Sequence, residues 1–277
     1  MYRKTLVAGT VLALFAGVSL AQSFDVVVVG SGGAGLSAAI MAKEAGSSVV
    51  VLEKMPYLGG NSNFASGGMN AACTKQQIAG GVTNDSPEIF YQDTMKGGHN
   101  LNNPALLKTL TENARYAEEW LVDLGAKFCF RKGRGGGQSV ARGHGPCDGS
   151  AVGPEVLRVL TARLKADKVE ILKNHQVVDI LMKDGAVAGV KVKTAKGPAP
   201  IDAKAVVLAT GGFGANHAMV EKYRPELKGF ATTNHPGALG EGLDLAEKVG
   251  ASFTDIETDR KSTRLNYSHI TSSYAVL

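Results

Sequence analysis

The 277 residues predict an α/β fold: a parallel sheet with flanking helices, interrupted by an antiparallel β insertion. Three observations carry this. An unbroken apolar run, Val26 to Val29, empties into the glycine-rich stretch Gly30-Ser31-Gly32-Gly33-Ala34-Gly35. A helical pattern and a second apolar run follow within about thirty residues of the mature start, the spacing of a βαβ unit. Far downstream, "AKAVVLATGGFG" repeats the combination of buried strand and glycine turn.

The elements follow in order. Residues 25–29 read as a strand buried on both faces, because β-branched residues run on without polar alternation. "GLSAAIMAKEAG" reads as a helix closed by Gly46, and "SSVVVLEK" as the second strand. After a glycine-rich passage, "NPALLKTLTENARYAEEWLVDLG" has apolar residues at helical spacing and stops at Gly125. "GPEVLRVLTARLKA" predicts another helix. In "VEILKNHQVVDILMKDGAVAGVKVKT" the alternation and the turn at Asp184-Gly185 predict antiparallel strands. "EGLDLAEKVG" is the last helical pattern, closing at Gly250.

Composition narrows the function classes. The net charge of +5 comes from dispersed basic residues, aromatics are 6%, and no nucleic-acid motif occurs, so a nucleic-acid partner is not expected. Arg3 and Lys4 precede the apolar stretch "TLVAGTVLALFAGVSL", and Ser19-Leu20-Ala21 has the small residues a signal peptidase reads. Residues 1–21 are therefore expected to be a cleaved signal peptide, with a retained membrane anchor as the competing reading. Export implies the periplasm and no membrane attachment after cleavage. The three cysteines, Cys73, Cys129 and Cys147, are odd in number and widely spaced, which predicts no disulfide framework, no zinc site and no haem attachment. Residues 22–258 form the expected domain. Residues 259–277 are rich in Ser, Thr and Tyr, lack glycine and resemble a peptide that recurs at the ends of unrelated sequences, so they are expected to be foreign to it.

Gly30, Gly32 and Gly35 give the G-x-G-x-x-G pattern between strand and helix. The first glycine permits the turn, the second lets backbone N–H groups reach a pyrophosphate, and the third lets helix and strand pack closely. Glu53 stands about twenty residues on, at the second strand's end, where its carboxylate can accept hydrogen bonds from ribose hydroxyls. A nicotinamide enzyme would continue with alternating strands and helices. Here "KMPYLGGNSNFASGGMNAA" supplies a second glycine-dense loop, and "LATGGFG" a third, which fits the longer FAD better than NAD.

Those segments, with "DTMKGGHNLNNPALL" and "LKGFATTNHPGALGEGLDLAEKVGA", resemble the FAD-binding half of the fumarate reductase and succinate dehydrogenase flavoprotein family, in its soluble flavocytochrome c and urocanate reductase branch. The resemblance implies a Rossmann-like FAD-binding domain without the capping domain. It assigns Gly30, Gly32, Gly33, Ala34 and Gly35 to the pyrophosphate turn and Glu53 and Lys54 to the adenosine ribose. Gly60, Asn61, Ser62, Ala65, Ser66, Gly67 and Gly68 fall in the loop beside the pyrophosphate and isoalloxazine. Val177 is placed by the adenine, Ala209, Thr210 and Gly211 in the late glycine loop, and Thr233, Asn234 and Glu241 in the segment passing near the flavin.

Asn61 stands where membrane-bound relatives carry the histidine that attaches FAD, which implies noncovalent binding. Glu241 replaces the family's usual Asp. The implied reaction is hydride transfer from flavin N5 to an α,β-unsaturated carboxylate such as fumarate or urocanate, with a separate electron donor such as a c-type cytochrome. The catalytic Arg and His residues that the family uses have no counterparts in this sequence, so the catalytic residues are unknown and the chain is expected to be an inactive FAD-binding fragment. Another flavin dehydrogenase or oxidase of the ketosteroid type, and a noncatalytic FAD module, are the competing readings.

Arg142 and His144 form an Arg-x-His sequence suited either to a structural, flavin-adjacent role or to holding a carboxylate. Cys147 has no paired base and reads as an unreactive thiol. The histidines show no metal-ligand spacing.

Overall fold

The computed structural model describes residues 23–194, 197–253, 256 and 275–276. The expected signal peptide lies outside them, as does all of the 259–277 tail except Ala275–Val276.

The described residues open with β1 (Ser23–Val29), α1 (Gly33–Glu44) and β2 (Val49–Glu53). β3 (Met69–Asn70), α2 (Lys75–Ala79), α3 (Pro87–Gly97), α4 (Pro104–Asp123), β4 (Phe128–Arg131) and β5 (Gly143–Pro146) follow. Next come α5 (Val152–Ala166), β6 (Glu170–Lys173), β7 (Gln176–Lys183), β8 (Ala186–Thr194) and β9 (Gly197–Leu208). α6 (His217–Tyr223), α7 (Glu241–Lys248) and the two-residue β10 (Ala275–Val276), antiparallel to the end of β9, complete it.

The main sheet runs β6-β2-β1-β9-β8-β7. Its first four strands are parallel, and β8 and β7 extend it antiparallel from β9. The expected hairpin at Asp184-Gly185 is therefore present. The segment before it differs: Glu170–Lys173 does not join the antiparallel strands but pairs parallel with β2, Leu172 opposite Leu52. Helix α5 supplies the crossover that carries the chain to that edge.

The valine run is explained by two cores. Val28, Val49 and Val51 face α1 and α5, packing with Leu36, Ile40, Leu160 and Leu164. Val27, Val29, Val50 and Leu52 point the other way, toward Val190, Val192, Val206 and Leu245 of α7. Successive side chains of a strand alternate faces, so a strand covered on both sides has no polar position.

A second, three-stranded sheet, β3-β5-β4, stands apart, antiparallel throughout. It brings Cys129 opposite Gly145, so Cys147, two residues on, meets Cys129 in a disulfide. This corrects the expectation of no disulfide framework and the reading of Cys147 as an unreactive thiol. Eighteen residues of sequence separation give no hint of the pairing because the strand partnership that creates it lacks an alternating pattern. Cys73 is the free one.

Candidate cofactor site

The turn after β1 is built on close backbone contacts. Gly30 has φ +107°, and a Cβ there would lie 2.4 Å from the Ala209 carbonyl oxygen. A Cβ on Gly35 would lie 2.0 Å from the oxygen of Gly30. Only glycine lets α1 start this close to the strand and lets the Ala209–Gly211 loop lie against the turn. The N-cap of α1, Gly32, has no side-chain cap. The first N–H groups of the helix thus point into the cavity together with the positive end of the helix dipole, an arrangement suited to a diphosphate. One of them, on Gly33, donates to Ser62 Oγ at 3.0 Å.

Glu53 is buried at the end of β2. Its Oε2 accepts hydrogen bonds from the Ser31 hydroxyl at 2.5 Å and the Ser31 N–H at 3.1 Å, and its Oε1 accepts from the Met55 N–H at 2.8 Å. A carboxylate has about four acceptor positions. Three are committed to the protein, which fixes the acid's orientation and leaves capacity for a ribose hydroxyl. Ser31 Oγ also accepts from the Gly59 N–H at 3.1 Å, so one serine ties the turn, the ribose acid and the second glycine loop together. The motif gives that position no identity, and sequence reasoning passed over it.

These parts surround one cavity. Gly30, Gly32, Gly33, Ala34, Glu53, Lys54, Gly60, Asn61, Ser62, Val177, Ala209, Thr210, Gly211, Asn234 and Glu241 all line it. Gly35 stands behind the turn. Ala65 is buried behind the lining, its carbonyl accepting the Gly153 N–H at 2.8 Å, while Ser66, Gly67, Gly68 and Thr233 are exposed outside it. The polar lining residues that the sequence reading did not single out are Ser31, His175, Gln176 and His235.

Asn61 uses both ends of its amide. Its Nδ2 donates to Asn234 Oδ1 at 2.9 Å, and its Oδ1 accepts from the His235 N–H at 2.7 Å. The side chain is thereby a brace between two loops. His235 Nδ1 accepts from the Gly237 N–H at 2.9 Å, which places the ring proton on Nε2, and burial lowers its pKa so that the ring stays neutral. Glu241 opens α7. One of its oxygens pairs with Lys54 Nζ and the other accepts from Gln176 Nε2 at 3.0 Å, joining α7 to β2 and β7 at the ribose side of the cavity.

Arg142 and His144 do not reach the cavity. Arg142 is fully buried, bonded to Asp85 through two nitrogens at 2.8 and 3.1 Å and to Asp93 at 2.7 Å, with Phe90 against its guanidinium. Those carboxylates hold its pKa above the ordinary arginine value. His144 Nδ1 faces the Arg142 carbonyl at 3.1 Å and Nε2 faces the Thr74 hydroxyl at 2.7 Å, and burial lowers its pKa. Of the two roles open to the pair, the geometry gives the structural one: both side chains are spent on anchoring β5. Among the described residues no cluster of His, Cys, Asp or Glu could hold a metal, and no helix is long and apolar enough to cross a membrane.

The glycine cradle, the open helix N-terminus and the ribose acid fit a dinucleotide diphosphate, and comparison with known proteins names it. Residues 25–260 match the family described as FAD binding domain. An NADH:fumarate oxidoreductase of Klebsiella pneumoniae is 50% identical over 236 residues, covering 85% of this chain and 25% of that protein. A urocanate reductase of Eggerthella lenta is 38% identical over 245 residues, covering 86% of this chain and 40% of its own length. The open conformation of a flavocytochrome c3 fumarate reductase superposes with a TM-score of 0.82 at 41% identity, over 85% of this chain and 42% of that one. The chain thus spans less than half the length of these relatives.

Proposed function

The chain belongs to the FAD binding domain family, whose cofactor is FAD, and on that premise we propose that it is the FAD-holding part of a flavoprotein reductase acting on an α,β-unsaturated carboxylate such as fumarate or urocanate. The observation that carries this is the meeting of three glycine loops, the α1 N-terminus and Glu53 around one cavity. When bound, FAD supplies the hydride chemistry. This chain's residues do the holding: backbone N–H groups take the diphosphate, Glu53 takes the ribose, and Asn61, which has no nucleophilic ring nitrogen, leaves the flavin noncovalently attached.

Carboxylate recognition is assigned to residues outside this set. Among the described residues lining the cavity, the cationic side chain is Lys54, and Glu241 already pairs with it. Arg142 is committed to Asp85 and Asp93. Reduction therefore depends on positively charged groups that these residues do not supply, since the substrate must be fixed within a fraction of an ångström of the reacting flavin.

The Cys129–Cys147 disulfide supports the proposal that the protein is exported to the periplasm, because such bonds persist in oxidising compartments. Electrons are proposed to come from a separate carrier such as a c-type cytochrome. The sequence has one dinucleotide turn, and the chain covers only a quarter of the Klebsiella relative, so that protein's use of NADH does not carry over.

The test measures fumarate- and urocanate-dependent reoxidation of reduced viologen, by this chain and by one extended with the genomic sequence after Thr258. Turnover by the extended chain, with viologen a faster donor than NADH, is expected. Equal turnover by the 277-residue chain would overturn the assignment of carboxylate recognition, and NADH reducing the extended protein as fast as viologen would overturn the donor.

A further inference from the structure

The small sheet that backs the second glycine loop is short, and its side chains, not its ladder, hold most of it. β4 and β5 are four residues each and β3 is two, so the ladder contributes few hydrogen bonds. The connection from β4 to β5 contains Gly133, Gly135, Gly136 and Gly137, and residues 132–137 are exposed. The Cys129–Cys147 disulfide closes this hairpin at its outer edge, and both cysteines are exposed. β5 has polar anchors, Arg142 to Asp85 and Asp93 and His144 to Thr74; β4 is held at Phe128, buried in the main core, and at Phe130 against His144, while its Cys129 and Arg131 face outward. Beside the second glycine loop, the β4 residue Arg131 lies against Gly145 and donates at 3.4 Å through Nη1 to the Gly67 carbonyl and through Nη2 to the Ser150 carbonyl.

We propose that Cys129 and Cys147 are a thiol–disulfide exchange site whose redox state sets how firmly the Ser66–Gly68 loop is held. The reductant is a dithiol, on a small molecule or a redox protein. Its thiolate attacks one sulfur, the Cys129–Cys147 bond breaks, two electrons and two protons pass to the cysteines, and the dithiol leaves as its own disulfide. Reduction loosens the outward-facing side of β4 while Phe128 and the Arg142 and His144 contacts keep the sheet in place, so the fold persists and the Arg131 contact to Gly67 weakens. The consequence for cofactor affinity rests on the FAD reading above; the redox chemistry and its effect on stability do not.

The test compares the full chain, purified without reductant, before and after treatment with dithiothreitol. A thiol reagent applied after denaturation is expected to count one thiol, Cys73, in the untreated protein and three in the treated one. Reduction is expected to lower Tm by roughly 5–10 °C, since the bond restricts the unfolded chain. It should also raise the Kd for FAD about threefold or more, as the competent loop conformation becomes less populated. A variant with Cys129→Ser and Cys147→Ser should match the reduced protein and ignore dithiothreitol, whereas Cys73→Ala should respond as the wild type does. Three thiols in the untreated protein, or an unchanged Tm on reduction, would overturn the exchange site. An unchanged Kd beside a lowered Tm would overturn the coupling to the loop. Absence of FAD binding in both states would be a failure of the FAD reading, and the thiol count and Tm would still decide the exchange site.

Discussion

The Ser31 hydroxyl donates to Glu53 Oε2 at 2.5 Å, and this contact joins the glycine turn after β1 to the acid that ends β2. It holds the carboxylate where a ribose bound beside the turn would meet it. Glu53→Ala removes both the acceptor and the partner of Ser31, and a hydrogen bond to a charged group contributes about 1.5–3 kcal/mol, so FAD affinity should fall roughly tenfold to a hundredfold. Ser31→Ala should cost less, and the double variant less than the sum, because the two residues share one bond. Fluorescence titration of FAD into the three variants checks this.

Gly35→Ala should destabilise the protein even without cofactor. The added Cβ would lie 2.0 Å from the Gly30 oxygen, and neither backbone segment can yield without moving α1 off the sheet. Gly33→Ala meets only the Ser62 side chain, at 3.4 Å, and should be tolerated by the fold. Thermal melts of the two variants should separate them clearly.

Asp85→Asn leaves the fully buried Arg142 guanidinium short of its main counter-charge. Breaking one side of a buried ion pair costs about 3–5 kcal/mol. Urea unfolding should show that loss.

Glu118 gives the protein a pH dependence. On α4 it falls on the buried stripe with Leu107, Thr111, Ala114 and Leu121, where its Oε1 meets only Gln76 Nε2 at 3.2 Å and its Oε2 has no partner. Burial, with Glu119 nearby, pushes its carboxyl up to about 7 from an ordinary 4.5. A raised acid binds its proton more tightly folded than unfolded. Its stabilising share is therefore full below about pH 4.5 and is lost as pH rises through about 7. Glu118→Gln, which stays neutral, should remove on the order of 2 kcal/mol of this dependence and make the protein more stable than wild type near pH 8, as urea unfolding across that range would show.

Much of this was legible in the sequence. The βαβ unit, the two long helices and the hairpin at Asp184-Gly185 announce themselves through apolar runs, apolar period and glycine stops, because β1 and β2 are buried on both faces and the helices bury one face over many residues. The small sheet does not. β3 and β5 are short and carry Gly, Pro, Asn and His, so pairing depends on contacts such as Arg142 with Asp85, fifty-seven residues away. The disulfide was hidden for the same reason. In the site, positions that need glycine or an acid could be picked out by type, but Ser31 and His235 act through geometry that only the folded loops create.

Whether the cavity holds FAD, and without a covalent bond, is tested most directly by titrating the purified chain with FAD and with NAD and then precipitating the FAD-loaded protein with acid. Saturable FAD binding at least about tenfold tighter than NAD binding, a difference of roughly 1.4 kcal/mol or more, is predicted, with all the flavin released to the supernatant. NAD bound as tightly as FAD, or flavin remaining on the polypeptide, would contradict it.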